Sequence, residues 1–322
     1  MDASDPWARL AGTLLGTPTL TADEAAREAG LEPASARRLW QALGFPPVSG
    51  EHRVFTRSDV EMLQAVRAAI EFQSVNFDDL VQLTRVVGQS LARVADAQVT
   101  ASAERVRADA VPGDPVSTQL AARIEALAPG LERFLAYVWR RHLLAALRHW
   151  SAQPLATDRL VAVGFADLVG FTAMSRALAA RDLAGMVSRF ESLAYEHIPE
   201  RGGRVVKMIG DEVMFQVDDG AFAADIAVAL VDACARDPEL PDVRVGIATG
   251  PVLSWEGDLY GPTVNLASRL VNLARPRTVL ISEALGERLK DDPRFELRHL
   301  RPLALHGLGR VRCWVLRRAR VA

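Results

Sequence analysis

The chain has 322 residues, enough for two domains that each bury a core. About half of it is apolar (49%) and 24% is charged, with 38 basic against 40 acidic side chains, a balance that excludes a polyanion-coating protein and wholesale disorder. No apolar run approaches the ~18 residues of a membrane span, and the start, Met-Asp-Ala-Ser-Asp, lacks a signal peptide's basic stretch, so a cytoplasmic protein with no membrane span is expected.

In chain order, residues 1–150 carry apolar side chains at helical spacing. Gly and Pro fall mostly in breaks such as Gly44-Phe-Pro46-Pro47 and Val111-Pro-Gly-Asp-Pro115. An all-α domain is predicted there. A linker follows over 151–158 (Ser151-Ala-Gln-Pro154-Leu-Ala-Thr157), and 159–322 alternates strand and helix signals, as an α/β domain does. The expected elements are a strand over 160–166, a helix over about 174–198, a hairpin over 204–217 and a helix over about 221–236. Then come a strand over 242–249, a helix over about 262–274, a strand over 278–281, a short helix from Ser282 and a strand over 311–317. Cys234 and Cys313 lie far apart in apolar contexts and read as buried free thiols of a reducing compartment.

Two segments carry chemistry: Phe165-Ala166-Asp167-Leu168-Val169-Gly170-Phe171-Thr172 and Lys207-Met208-Ile209-Gly210-Asp211-Glu212. Each ends an apolar strand with an aspartate at a turn. Two carboxylates on rigid elements suit Mg²⁺ or Mn²⁺, which complete their shells with water and substrate phosphates, so a nucleotide polyphosphate is the implied substrate. A third segment, Asp258-Leu-Tyr-Gly261-Pro-Thr-Val-Asn265-Leu-Ala-Ser-Arg269, puts Asn265 and Arg269 four apart on one helix face. One offers an amide to a ribose and the other a guanidinium to a phosphate, while Asp258 can accept from an exocyclic amine. Lys207 stands out in a chain with 36 arginines and two lysines. Glu212 is expected to point away from the aspartate pair.

These three motifs, in this order and spacing, resemble the class III nucleotidyl cyclase catalytic domain, an α/β, ferredoxin-like fold of βαββαβ order. The resemblance implies that Asp167 and Asp211 bind two divalent metal ions, that Lys207 and Asp258 read adenine, and that Asn265 and Arg269 serve the transition state. Lys with Asp at the reading positions implies ATP. It further implies a head-to-tail homodimer whose metal aspartates and base-reading residues come from different subunits. The backbone N–H groups of Leu168, Val169, Gly170, Phe171 and Thr172, entering a helix, are expected to face the phosphates. The short 250–258 segment resembles a compact dimerisation arm, with Trp255 its interface candidate. At His306 the family usually presents a lysine or arginine to the terminal phosphates, a role that falls to His306 or to neighbouring Arg310.

The first domain resembles a MerR-type winged helix-turn-helix at its start, with Arg37 and Arg38 on the second helix and Arg53 and Arg57 on the wing. Its 16 Arg against 18 Asp and Glu over residues 1–150, net 16 − 18 = −2, speak against DNA binding, which needs several phosphate contacts. The order of this helical domain, including Phe72-Gln-Ser-Val-Asn-Phe77-Asp-Asp-Leu and the long segment Leu131 to Trp150, resembles the regulatory domain of mycobacterial pH-responsive adenylyl cyclases. That implies dimerisation and control of catalysis, with a proton or lipid effector and with His142, His149 or His306 as titrating groups. The alternative is a DNA-binding regulator whose cyclase-like half only senses nucleotide.

Overall fold

The computed structural model describes residues 5–48, 50–73, 75–109, 115–151, 160–305, 307 and 309–319. They fall into two compact units, Met1–Pro154 and Leu155–Ala322.

The first unit is helical: α1 (Pro6–Leu15), α2 (Ala22–Glu28), α3 (Pro33–Ala42), α4 (Arg57–Gln73), α5 (Phe77–Ala108) and α6 (Val116–Ser151). Local chemistry sets the starts. Asp5 caps α1 ahead of Pro6, Thr21 and Glu24 form a reciprocal capping box on α2, and Asn76 caps α5. Gly30 turns from α2 towards α3 with φ 75°. Ala25, Ala29, Phe55 and Val60 make one small core; Leu39, Ala42 and Val81 make another. Among the described residues the only β feature of this unit is a bridge between Leu20 and Phe55, so the predicted wing is reduced to one pairing.

The second unit runs β1 (Leu160–Leu168), α7 (Phe171–Ala177), α8 (Ala180–Glu200), β2 (Arg204–Ile209), β3 (Glu212–Val217), α9 (Gly220–Arg236), β4 (Val243–Pro251), β5 (Leu253–Trp255), β6 (Asp258–Tyr260) and α10 (Pro262–Leu273). It ends with β7 (Val279–Ser282), α11 (Glu283–Leu289), β8 (Phe295–His299), β9 (Leu303–Leu305), β10 (Gly309–Val311) and β11 (Cys313–Arg318). Seven strands form one sheet in the order β2-β3-β1-β4-β7-β11-β8, antiparallel except where β4 runs beside β7. Strand alternation sends Ala162, Ala166 and Leu168 of β1 against α8 and α9, and Val161, Val163 and Phe165 to the other side, against Ala267 and Val271 of α10. Cys234 and Cys313 are free and buried, as expected.

The helix expected over 174–198 is divided: Leu178 is extended (ψ 150°), ending α7 before α8 begins. The hairpins β5–β6 and β9–β10 and strand β8 were not expected.

Helix α10 lies directly on the sheet because β4 has no side chain at Gly246. A Cβ there would sit 2.2 Å from the Val271 nitrogen and 2.6 Å from the Ala267 carbonyl oxygen. Since both are backbone atoms, Gly246→Ala must push the helix off the strand. We expect it to cost about 3 kcal/mol, read as a lower urea midpoint at unchanged m-value.

Candidate active site

Asp167 is the penultimate residue of β1 and shares the α10-facing side with Val161, Val163 and Phe165. Its cross-strand neighbours are Glu212 on β3 and Arg244 on β4. Arg244 grips one carboxylate oxygen, Oδ2, through Nη2 at 2.6 Å and Nε at 2.7 Å, and donates from Nη1 to the Asn272 carbonyl of α10 at 3.1 Å. Asp211 follows Gly210, whose φ of 64° makes the β2–β3 turn, and its carbonyl accepts from Leu168 N–H at 3.2 Å. The turn thus brings the two aspartates together. Burial, with the adjacent Asp167 charge and hydrogen bond, holds the Asp211 carboxyl above the ordinary carboxylate range, against the pull of Arg244.

Glu212 does not point away. The register places it beside Asp167, and burial followed by the Asp167 and Asp211 charges pushes its carboxyl from 4.5 to about 7. Its folded pKa lies above its unfolded one, so its contribution to stability is full below pH 4.5 and disappears as pH rises through 7. Glu212→Gln escapes that loss. With metal chelated, the melting temperature of this variant relative to the parent chain is expected to rise between pH 5 and pH 8.

Lys207 owes its direction to an irregularity. The β2–β3 register shifts between Val205 and Lys207, so Lys207, not Val206, stands opposite Met214. Met214 belongs to the α10-side core, whereas Val213, which an unbulged strand would set opposite Lys207, packs on the α8–α9 side. The bulge therefore turns Lys207 towards β6, where Nζ donates to Asp258 Oδ2. Asp258 Oδ1 accepts from Leu259 N–H at 2.8 Å. An ammonium has three donors and a carboxylate about four acceptor positions, so the pair keeps donors and acceptors in reserve side by side.

Residues 155–318 match the adenylate and guanylate cyclase catalytic domain family, and residues 6–150 match the adenylate cyclase regulatory domain family. The chain belongs to the adenylate and guanylate cyclase family. An adenylate cyclase of Streptomyces coelicolor is 36% identical over 98% of this chain and 90% of its own length. One from Glutamicibacter nicotianae is 36% identical over 91% of this chain and 77% of its own. A protein named pH-sensitive adenylate cyclase from Mycobacterium tuberculosis is 30% identical over 93% of this chain and 78% of its own.

In this member of the cyclase family, Asn265 and Arg269 lie on the exposed face of α10, one turn apart, and neither side chain has a partner among the described residues. The phosphate loop needs correction. Leu168 N–H is taken by Asp211, and Val169 N–H donates to the Asp242 carbonyl at 2.8 Å, because the end of β1 runs between the residues that lead into β3 and β4. Gly170 (φ 79°), Phe171 and Thr172 open α7, where first-turn amides lack helical acceptors. His306 lies outside the described residues; Arg310 is exposed on β10. Trp255 ends β5 and is exposed. Sequence reading missed Arg244 and Glu212, whose approach to Asp167 depends on strand pairing; the Arg in Val243-Arg-Val245-Gly246 carries no local mark of it.

Among the described residues no three His, Cys, Asp or Glu side chains converge on one point, so the acidic centre offers two carboxylates rather than a closed cage. Burial first, and then the charge of the neighbouring carboxylates, lifts Asp211 and Glu212, and a half-buried carboxylate pair of this kind fits a divalent cation at Asp167 and Asp211.

Proposed function

We propose that the chain is an adenylate cyclase that converts ATP to 3′,5′-cyclic AMP and pyrophosphate. The observation that carries this reading is the Lys207–Asp258 pair, turned by the bulge onto the sheet side that also bears Asp167. Adenine presents an acceptor at N1 and a donor at its 6-amino group, matched by an ammonium beside a carboxylate. Guanine presents the reverse, N1–H and O6, and meets a donor with a donor and an acceptor with an acceptor.

Asp167 and Asp211 would hold two divalent ions, Mg²⁺ or Mn²⁺. With cations held there, the ribose 3′-hydroxyl becomes more acidic and the triphosphate charge is offset. The 3′-oxygen attacks the α-phosphorus in line, the P–O bond to pyrophosphate breaks, and the proton leaves to solvent or substrate. Arg269 stabilises the charge on the α-phosphoryl oxygens and Asn265 holds the ribose for attack, each worth ~10²-fold or more. The amides of Gly170, Phe171 and Thr172 face the phosphates, and His306 or Arg310 serves the terminal one.

The site assembles in a head-to-tail homodimer, the acidic pair of one chain facing Lys207, Asp258, Asn265 and Arg269 of the other. Asn265 and Arg269 face outward on α10, open to a second copy. The assignment of residues 1–150 to regulation and 159–322 to catalysis, in a cytoplasmic enzyme, belongs to the same reading.

The helical unit controls activity, with protons or an apolar ligand as effector. His142 is exposed on α6, and Trp40, Leu63, Val66, Leu80 and Leu83 line an apolar cavity of about 370 Å³ between α3, α4 and α5. No observation favours the DNA-binding alternative. Arg37 pairs with Asp23 at 2.8 Å, Arg38 with Asp78 at 2.7 Å and Arg53 with Glu24 at 2.9 Å, while Arg57 pairs with Glu28, so all four candidate phosphate contacts already hold carboxylates.

Cyclic nucleotide formation from ATP and GTP with Mn²⁺, at pH 5.5 and 8, tests the reading. The full chain should make product from ATP, and Asp211→Ala should lower it by about 10³-fold or more. Absence of product from ATP under all conditions would sink the proposal.

A further inference from the structure

We propose that Arg204 is a positioning residue for purine reading: its guanidinium, fixed by the buried Gln216, holds the Asp258 carboxylate in place as the acceptor beside Lys207. The proposal rests on the adenylate cyclase reading above.

Residues 204 and 207 of a regular strand point to opposite faces. The bulge between Val205 and Lys207 cancels that alternation, so Arg204 and Lys207 share one face. Arg204 stands opposite Gln216, which in turn stands opposite Val163 of the α10-side core. Arg204 Nη2 donates to Gln216 Oε1 at 3.1 Å. Gln216 is 8% exposed, so its acceptor needs that donor, and the two lock each other.

Although Arg204 as a residue is exposed, its guanidinium turns inward. Burial lowers its pKa below the ordinary arginine value, and the charge of Asp258 acts in the opposite direction. Since Lys207 bonds Asp258 and Arg204 shares the face of Lys207, one cation is bonded to Asp258 and a second stands on the same face of β2.

The second cation matters when substrate arrives. Lys207 must then share its ammonium between adenine N1 and Asp258, and water that screened the carboxylate leaves. Arg204 cannot give up its proton, and its fork is immobilised by Gln216, so its charge stays on Asp258 throughout. Lys207 is thereby free to turn to the base while Asp258 remains an acceptor for the 6-amino group. Arg204 contacts no reacting atom; it acts through Asp258.

The test uses the full chain with Arg204→Gln, which can still hydrogen-bond Gln216, and Arg204→Lys, which restores charge. Steady-state kinetics with ATP and GTP are read beside thermal melts. Arg204→Gln is expected to raise KM for ATP about tenfold with kcat within about twofold, and to lower the ATP:GTP ratio of kcat/KM about tenfold, while Arg204→Lys recovers most of the loss. An unchanged ratio, or an equal fall for both nucleotides through kcat, would overturn the proposal. Calorimetric binding of non-reactive ATP and GTP analogues separates it from the parent reading. A chain that prefers the ATP analogue yet forms no product fails as a cyclase, and Arg204 is then judged by whether Arg204→Gln erases the binding preference. Equal binding of both analogues by the unmodified chain overturns the purine-reading assignment and this proposal together.

Discussion

An Asp211→Ala chain and an Arg269→Ala chain, each inactive alone, are expected to recover about a quarter of the unmodified activity when mixed in equal amounts and allowed to exchange subunits. The argument is combinatorial. If Asp211 serves a site with Arg269 of the second subunit, each homodimer of either variant has two broken sites. A mixed dimer has one site carrying both lesions and one carrying neither. Equal mixing makes about half the dimers mixed, each with one of two sites intact, hence about a quarter of the activity. The fold makes both variants safe to build. Arg269 is exposed on α10 with no partner among the described residues, and Asp211 occupies a turn whose conformation is set by Gly210 and whose contact to Leu168 runs through its carbonyl. If both residues served a site within one chain, mixing would restore nothing. Recovery would therefore assign the two half-sites to different chains, and its absence with intact subunit exchange would exclude the head-to-tail arrangement.

What could be read before folding was local, and what could not was relational. Val161 to Phe165, the Gly210–Asp211 turn and the Pro262–Leu273 helix are each specified by neighbours in sequence, by apolar runs, a glycine at positive φ or a proline in the first turn. Asp167 and Asp211 were legible as a pair of strand-end carboxylates for that reason: each ends such a run. The direction of Lys207 was not, since it depends on which residue of β3 it opposes, and the bulge leaves no mark in Arg-Val-Val-Lys. Arg244 reaches Asp167 only because β4 pairs with β1 in a register that sets them opposite. The Leu168 and Val169 amides looked like helix-entry donors until Asp211 and Asp242 carbonyls came within reach. Pro129 lies inside α6 without ending it: one lost backbone bond in a 36-residue helix is offset by packing on α1 and α5.

Reversing the hydrogen-bonding sense of the proposed purine-reading pair, Lys207 and Asp258, should reverse nucleotide choice. In Lys207→Glu with Asp258→Asn, the carboxylate at 207 accepts from guanine N1–H and the amide at 258 donates to O6. The two side chains can still bond each other, so β2 and β6 keep their link. Both residues are partly exposed, so the swap forfeits little stability; a surface pair of this kind contributes about 1 kcal/mol or less. The effect on selectivity is much larger because it is counted twice. The unmodified pair loses both bonds to guanine and leaves a donor facing a donor and an acceptor facing an acceptor, whereas the swapped pair imposes the same mismatch on adenine. Sites built on such bonds reject the mispaired analogue by about 10⁴-fold, so even partial transfer of that discrimination should move the GTP:ATP ratio of kcat/KM by about 10³-fold. The single changes should fall between, Asp258→Asn the milder, since an amide can turn its oxygen towards the adenine amine. If the double variant keeps the parental ratio while melting normally, Lys207 and Asp258 do not touch the base. If it loses activity towards both nucleotides equally, the pair supports the fold of the site and selectivity resides elsewhere on the α10-facing side of the sheet.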